Sequence, residues 1–368
     1  MRAVRLASRS RTVNWSDMSG TPLRVDWVLS GDRTKASSRL QGFLIHEWME
    51  RQGVASRIVA TDFNRIDSSY SLRFLEVAAA ILRHDATHVI FEAPEWLMVI
   101  LARLCSLRGK RVVAVRCDRI HEQYDEYFDA TIVPTEGLRR ALGISRGIVI
   151  EDACEVPPET YKRDYRGDGK LRVVWVGHGG YRDYILDIVK RLRSVPDIER
   201  SFVFELISSG GFATKQWSEG RVLQDVLACD IAILPLPAEE WYLNKSSNRL
   251  IMMLALGMPV LASLIPSYRE LAQEGENGLF VESDEEFATR LLRLRSEELR
   301  ASLGRAGRLG LGDRFGIDKV GPQWLAGIES VSMANPGRLR TNSKLKMFGL
   351  LVRLVGACRR PASDERPS

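Results

Sequence analysis

From residue 23 to residue 151 the chain alternates two hydrophobic patterns. Short runs rich in β-branched residues, at 23–29, 54–60, 87–92, 111–116, 129–133 and 147–151, predict strands. Between them lie longer stretches with helical spacing. The stretch 37–52 places Leu40, Phe43, Leu44 and Trp48 on one face and stops at Gly53. A second runs over 94–107 and ends before Gly109, and a third over 135–142 takes Thr135 as its N-cap. Strands that alternate with helices predict βαβ units and a parallel sheet.

A polar break follows at 157–170 (PPETYKRDYRGDGK), where Pro, Gly and charge cluster as in a linker or hinge. The alternation then restarts, with strands expected at 171–177, 202–207, 231–234, 259–262 and 278–281. The chain therefore reads as two doubly wound α/β domains, 22–156 and 171–312. A final helix over 313–330 crosses back to the first domain, and a tail covers 331–368. Doubly wound sheets bind ligands at the C-terminal ends of their strands, so two facing domains place the site in the cleft between them.

Composition narrows the class. Of 368 residues 45% are hydrophobic and 27% charged, as in a soluble globular protein. No apolar run reaches the roughly 20 residues that span a bilayer. Residues 1–21 are polar, lack an apolar core and read as a flexible tail rather than a secretory signal. The five cysteines show no metal or redox spacing and are expected to be reduced thiols of a cytoplasmic protein. The net charge of +6 is local: from Val331 onward eight basic residues face two acidic ones, so the rest of the chain is about neutral. That argues against a broad nucleic-acid surface. It suits a contact between the basic, apolar segment 344–360 and a membrane surface, or a helix that covers the protein's own apolar patch.

The chemistry concentrates in 229–270. A buried strand ends at Pro235, a polar loop leads to Lys245-Ser246-Ser247-Asn248-Arg249, and a helix then runs to Gly257. A helix N-terminus with Ser, Asn, Lys and Arg suits a diphosphate, through its amides, its dipole and its cations. An ordinary capped helix with solvated basic residues has the same pattern. The turn Gly177-His178-Gly179-Gly180 is no GxGxxG fingerprint, nor is Ser30-Gly31-Asp32, so a dehydrogenase has little support.

This segment resembles the donor-binding core of family-4-like glycosyltransferases with the GT-B fold. The residues that carry the resemblance are Asp230, Pro235, Lys245 to Leu250, Ala255, Gly257, Pro259, Val260, Ala262, Ser263, Pro266, Arg269 and Glu270. Val176-Gly177 with Gly179-Gly180, Ile132 to Thr135 with Leu138, Ser37 to Leu40 and Asn277-Gly278-Leu279 match other parts of that pattern. The resemblance spans about 23–330 and is most specific in its second half.

It implies two Rossmann-like domains facing across a cleft, a nucleotide-diphosphate-sugar donor and a saccharide or lipid-linked acceptor. It further implies retention at the anomeric carbon, no cofactor and no metal, and a place in cell-surface polysaccharide or glycoconjugate synthesis at the inner face of a membrane. The chain has no Asp-x-Asp sequence, in line with a metal-independent site. The donor residues implied are Gly177, His178, Gly179, Gly180, Arg182, Lys245, Ser246, Ser247, Asn248 and Arg249. Arg182, Lys245 and Arg249 would answer the charge on the leaving diphosphate. Glu270 is the candidate carboxylate for sugar or ribose hydroxyls, and Asp118 or His121 the group that orients the acceptor. Each has a plain structural counterpart, such as a first-turn glutamate or a packed histidine. His46, His84 and His88 read as structural, and Trp217 as a core residue that could instead pack on a base. Many relatives carry two glutamates eight residues apart, which here fall on Asn244 and Met252. Either Asn248 and Arg249 compensate or the chain is a binding scaffold without turnover; a nucleotide-sugar epimerase is a third reading.

Overall fold

The computed structural model describes residues 22–63, 70–118, 122–237 and 239–331. Residues 1–21, His121 and the segment 344–360 lie outside them. The first sheet holds β1 (Arg24–Val28), β2 (Ala55–Ala60), β3 (His88–Glu92), β4 (Arg111–Val115), β5 (Ala130–Val133) and β6 (Gly147–Val149) in the order β2-β1-β3-β4-β5-β6. The second holds β7 (Leu171–Val176), β8 (Phe202–Ser208), β9 (Lys215–Gln216), β10 (Ile231–Leu234), β11 (Val260–Ser263) and β12 (Leu279–Val281) in the order β12-β11-β10-β7-β8-β9. Every ladder is parallel. The fold is thus two Rossmann-like α/β halves. β3, β5 and β10 are buried at every position, because helices cover both faces of a parallel sheet.

Every strand expected from the sequence is present, with ends within a residue or two of the expectation. Thr135 caps the helix Glu136–Ala141, its Oγ1 accepting from the Leu138 amide at 3.1 Å. A helix at Tyr70–Arg83 and the short β9 had no counterpart in the sequence reading. The helix expected from residue 37 is not uniform. Ala36–Ser38 is α-helical, Arg39–Phe43 makes a π-helical turn, and Leu44–Arg51 returns to α. The wider turn sits where the polar residues Arg39 and Gln41 are buried and hydrogen-bonded to the end of the first domain.

The helix Ile317–Glu329 packs against the first sheet although it follows the second in sequence. Val320, Trp324, Leu325 and Ile328 share a core with Val25, Trp27 and Trp48. The Trp27 and Trp324 rings lie 6.1 Å apart at 47°. Gly321 is required there, because a Cβ would stand 2.3 Å from the Trp48 ring. The polar segment 157–170 is laid across the second domain: the Tyr165 hydroxyl donates to the Gly257 carbonyl at 2.9 Å, and Arg300 Nη2 donates to the Tyr165 carbonyl at 2.7 Å.

Candidate active site

Strand order sets where the crevices fall. The first sheet reverses direction between β1 and β3, the second between β7 and β10. Loops leave the C-terminal ends of the two switch strands in opposite directions and open a crevice. In the second domain that crevice lies between the turn after β7 (177–180) and the segment after β10, which contains 244–249.

Gly177 opens the turn because a Cβ there would meet the Trp175 ring at 2.1 Å. His178 caps the short helical turn Gly179–Tyr181, its Nδ1 accepting from the Gly180 amide at 3.1 Å. That amide is therefore already engaged, and the His178 ring is exposed. Arg182 begins the helix Arg182–Arg193 and lines an open hollow of about 380 Å³ with Gly179, Gly210, Gly211 and Phe212. Arg249 reaches the turn from the other side. Its guanidinium lies 5.1 Å from the Tyr181 ring centre, and Tyr181 in turn packs on Tyr242 at 5.6 Å. Arg249 Nη1 and the neighbouring Tyr268 hydroxyl are both buried atoms within polar reach of each other, and neither forms a well-aligned hydrogen bond. A buried donor without a well-aligned bond is costly unless something completes it.

In the first domain the switch point is built on Glu92, at the end of β3 and 1% exposed. Its Oε2 accepts from the Ser30 amide at 2.9 Å and from the Ser38 hydroxyl at 2.8 Å, and the Ser30 hydroxyl also bonds it. Lys35 Nζ stands 3.7 Å from Oε1. Burial, the largest influence, would push this carboxyl up, but Lys35 and the serine hydrogen bonds outweigh it and hold it below its ordinary 4.5. Glu92 thus ties down the loop 30–38 after β1. Because its folded-state pKa is depressed, its stabilisation is complete above pH 4.5 and is lost as pH falls through the folded value. Glu92→Gln is expected to cost about 3 kcal/mol near neutral pH. Urea unfolding from pH 7 to pH 3 checks this: the gap between wild type and variant should shrink on acidification.

Next to Glu92, burial first and the Asp118 and Glu92 charges second push the Cys117 thiol up to about 12. Cys117 is therefore no nucleophile near neutral pH. All four described cysteines are unpaired in disulfides.

The two crevices meet through the segment after β10. Lys245 Nζ stands 3.6 Å from Asp118 Oδ2. The Thr135 hydroxyl donates to the Asn244 carbonyl at 3.4 Å. Asp152, 5% exposed, accepts from Gln41 Nε2 at 2.7 Å and is hydrogen-bonded by the side chains of Ser246 and Asn248. Of the five residues 245–249, Lys245, Ser246 and Asn248 thus face the first domain, and Arg249 faces the Gly177–Gly180 turn. Ser247 is buried and N-caps the helix Asn248–Ala255 without a side-chain bond. Further along the cleft Arg39 makes a two-point pair with Glu155 (2.7 and 3.1 Å) and stacks 4.8 Å from the Trp217 ring. Arg33 reaches Glu219 at 3.1 Å. These residues line a cavity of about 200 Å³ between the domains, so Trp217 faces the cleft rather than only the core.

Glu270 is exposed at the end of the helix Pro266–Arg269, beside Ser267, whose hydroxyl donates to the Lys245 carbonyl at 2.7 Å. Met252 is 9% exposed and belongs to the apolar core of the second domain. Sequence reasoning did not single out Glu92, Asp152, Gln41 or Arg39 as groups of the cleft. The only available signal was a carboxylate at each of two strand ends, Glu92 and Asp152, where parallel sheets collect ligands.

Among the described residues no group of three or more His, Cys, Asp or Glu is placed to hold a metal ion. No described helix is long and apolar enough to cross a membrane. Residues 163–297 match the family model of glycosyl transferases group 1. In structure the chain is similar to sucrose-phosphate synthase of Thermosynechococcus elongatus (12% identity, 83% of this chain and 98% of that one, TM-score 0.61). It is also similar to Anabaena HepE in complex with UDP (11% identity, 84% and 100%, TM-score 0.54). TarM is a further likeness (11% identity, TM-score 0.50), matched over 70% of this chain, which spans only 58% of TarM. At these identities the likeness shows the shared GT-B fold. No curated protein sequence matches the chain.

Proposed function

We propose that this chain, a glycosyltransferase carrying its group 1 domain at residues 163–297, moves a sugar from a nucleoside-diphosphate donor to a saccharide or lipid-linked acceptor, without a metal and with retention. The observation that carries the reading is Arg249. Its half-buried guanidinium lies over Tyr181, next to the Gly177–Gly180 turn at the switch point of the second sheet, and its Nη1, within polar reach of the Tyr268 hydroxyl, forms no well-aligned hydrogen bond. A donor diphosphate is the chemistry that suits a half-buried guanidinium at such a place. Charge that develops on the leaving phosphate would be met by Arg249, by Arg182 at its helix start, and by Lys245. Lys245, 3.6 Å from Asp118, would move from that carboxylate to phosphate when the donor enters. HepE structures hold UDP and UDP-glucose, so uridine donors are the first to try.

The test is thermal stabilisation of the purified protein by UDP, GDP, ADP, CDP and dTDP and their common sugars, without metal. A ligand at about 100 times its Kd adds roughly 2.7 kcal/mol. Absence of any shift at millimolar concentration would sink the donor reading. A second reading, binding without turnover, is favoured by the burial of Met252 at a position where relatives carry a glutamate. A chain that binds a nucleotide sugar but releases no nucleoside diphosphate with any acceptor would support it.

A further inference from the structure

We infer that Asp152 is a positioning residue that sets the donor segment 245–249 against the first domain; this rests on the donor site proposed above. Asp152 follows β6, at the point where the chain leaves the first sheet. Two residues later the Cys154 amide donates to the Phe315 carbonyl at 2.7 Å, and Val156 already belongs to the core of the second domain. Phe315 lies on the return crossing, just before the helix Ile317–Glu329. Both crossings of the chain therefore meet next to Asp152, which stands at the pivot between the domains.

At this pivot one carboxylate gathers donors from both sides. Gln41 comes from the π-helical turn of the first domain, Ser246 and Asn248 from the second. Burial raises the Asp152 carboxyl, and the bonds from Ser246, Gln41 and Asn248 oppose that. Holding positions 246 and 248 fixes the residues on either side. Lys245 is then directed at Asp118 and Arg249 at Tyr181. Contacts far from a pivot, such as Arg33–Glu219, break when a cleft opens, whereas a contact at the pivot moves least. Asp152 would keep the donor cations in register through opening and closing, as outer groups do for catalytic ligands.

Asp152→Asn, Asn248→Ala and the double variant test this, with two readouts. The first is hydrogen exchange of amides 244–249 in the ligand-free chain, expected to rise in Asp152→Asn while the amides of β7 and β10 stay protected. The second is the Kd of whichever nucleoside diphosphate shifts the wild type most. Each single variant should weaken it about 10-fold and the double variant also about 10-fold, since both remove one coupled unit. Unchanged exchange at 244–249, or additive losses of about 100-fold in the double variant, would overturn the assignment. Unchanged nucleotide affinity in Asp152→Asn would overturn it as well. If Asp152→Asn does not fold, Asn248→Ala alone must still raise exchange at 244–249 and weaken the nucleotide. If no nucleotide binds the wild type, the donor reading fails, and the exchange experiment still decides whether Asp152 holds the segment.

Discussion

Arg249→Ala is expected to weaken binding of the nucleoside diphosphate by about 30- to 1000-fold, equivalent to about 2–4 kcal/mol for the loss of a desolvated, charge-assisted contact. The same substitution should change the stability of the ligand-free chain by no more than about 1 kcal/mol. Arg249 Nη1 makes no well-aligned hydrogen bond, so truncation would remove only the stacking on Tyr181 and a weak contact with the Tyr268 hydroxyl. This opposition of effects separates a ligand-binding arginine from a structural one. A structural arginine such as Arg300, which donates to the carbonyls of Leu294, Arg295 and Tyr165, should lose stability on truncation. Isothermal calorimetry for the nucleotide and urea midpoints for the chain measure the two halves. A variant that binds as tightly as the wild type, or that unfolds like Arg300→Ala, would remove Arg249 from the donor site.

Trp324→Ala should destabilise the first half of the molecule by about 3–5 kcal/mol, the range for deleting a buried aromatic side chain. Trp324 is 1% exposed and packs on Trp27, itself fully buried in the inner strand β1. The helix that bears it is also held by Trp48, whose Nε1 donates to Asp318 Oδ1 at 3.3 Å. Because the helix follows the second sheet in sequence but packs on the first, loosening it should affect both halves. Unfolding would shift to lower urea and, where the halves separate, split into two transitions. Near-ultraviolet circular dichroism follows the tryptophans of both halves, Trp27 and Trp48 in the first and Trp175 and Trp217 in the second. An unchanged midpoint would mean that the closing helix contributes little to that core.

These residues also show what could be read without coordinates. The parallel sheets were legible because each strand is a short β-branched run buried on both faces, such as His88–Glu92 or Ile231–Leu234. Gly177, Thr135 and Gly257 were legible because turns and caps act over a few residues; Gly257 takes φ +65° where its helix stops. The helix Tyr70–Arg83 has no counterpart in the sequence reading, although Asp67, Ser68 and Ser69 precede it as residue types that favour an N-cap. The π-helical turn at Arg39–Phe43 was missed because its cause lies more than a hundred residues away, in Asp152 and Glu155.

The directions of side chains in the candidate site belong to the second kind. The run Lys245 to Arg249 has one local pattern, that of a basic helix N-terminus, and local pattern assigns all five residues to one ligand. Tertiary structure divides them: Lys245, Ser246 and Asn248 turn to Asp118 and Asp152 of the first domain, and Arg249 alone turns to the Gly177 turn. By itself the sequence determined the two-domain α/β architecture, the switch-point loops and the resemblance of the second half to group 1 glycosyl transferases, since each rests on periodicity or on residues close together in the chain. Only the tertiary structure decided which buried carboxylates organise the cleft and which cation lies over Tyr181 beside the Gly177 turn. Hydrogen bonds and ion pairs between domains satisfy groups brought together by folding, and no spacing along the chain records that.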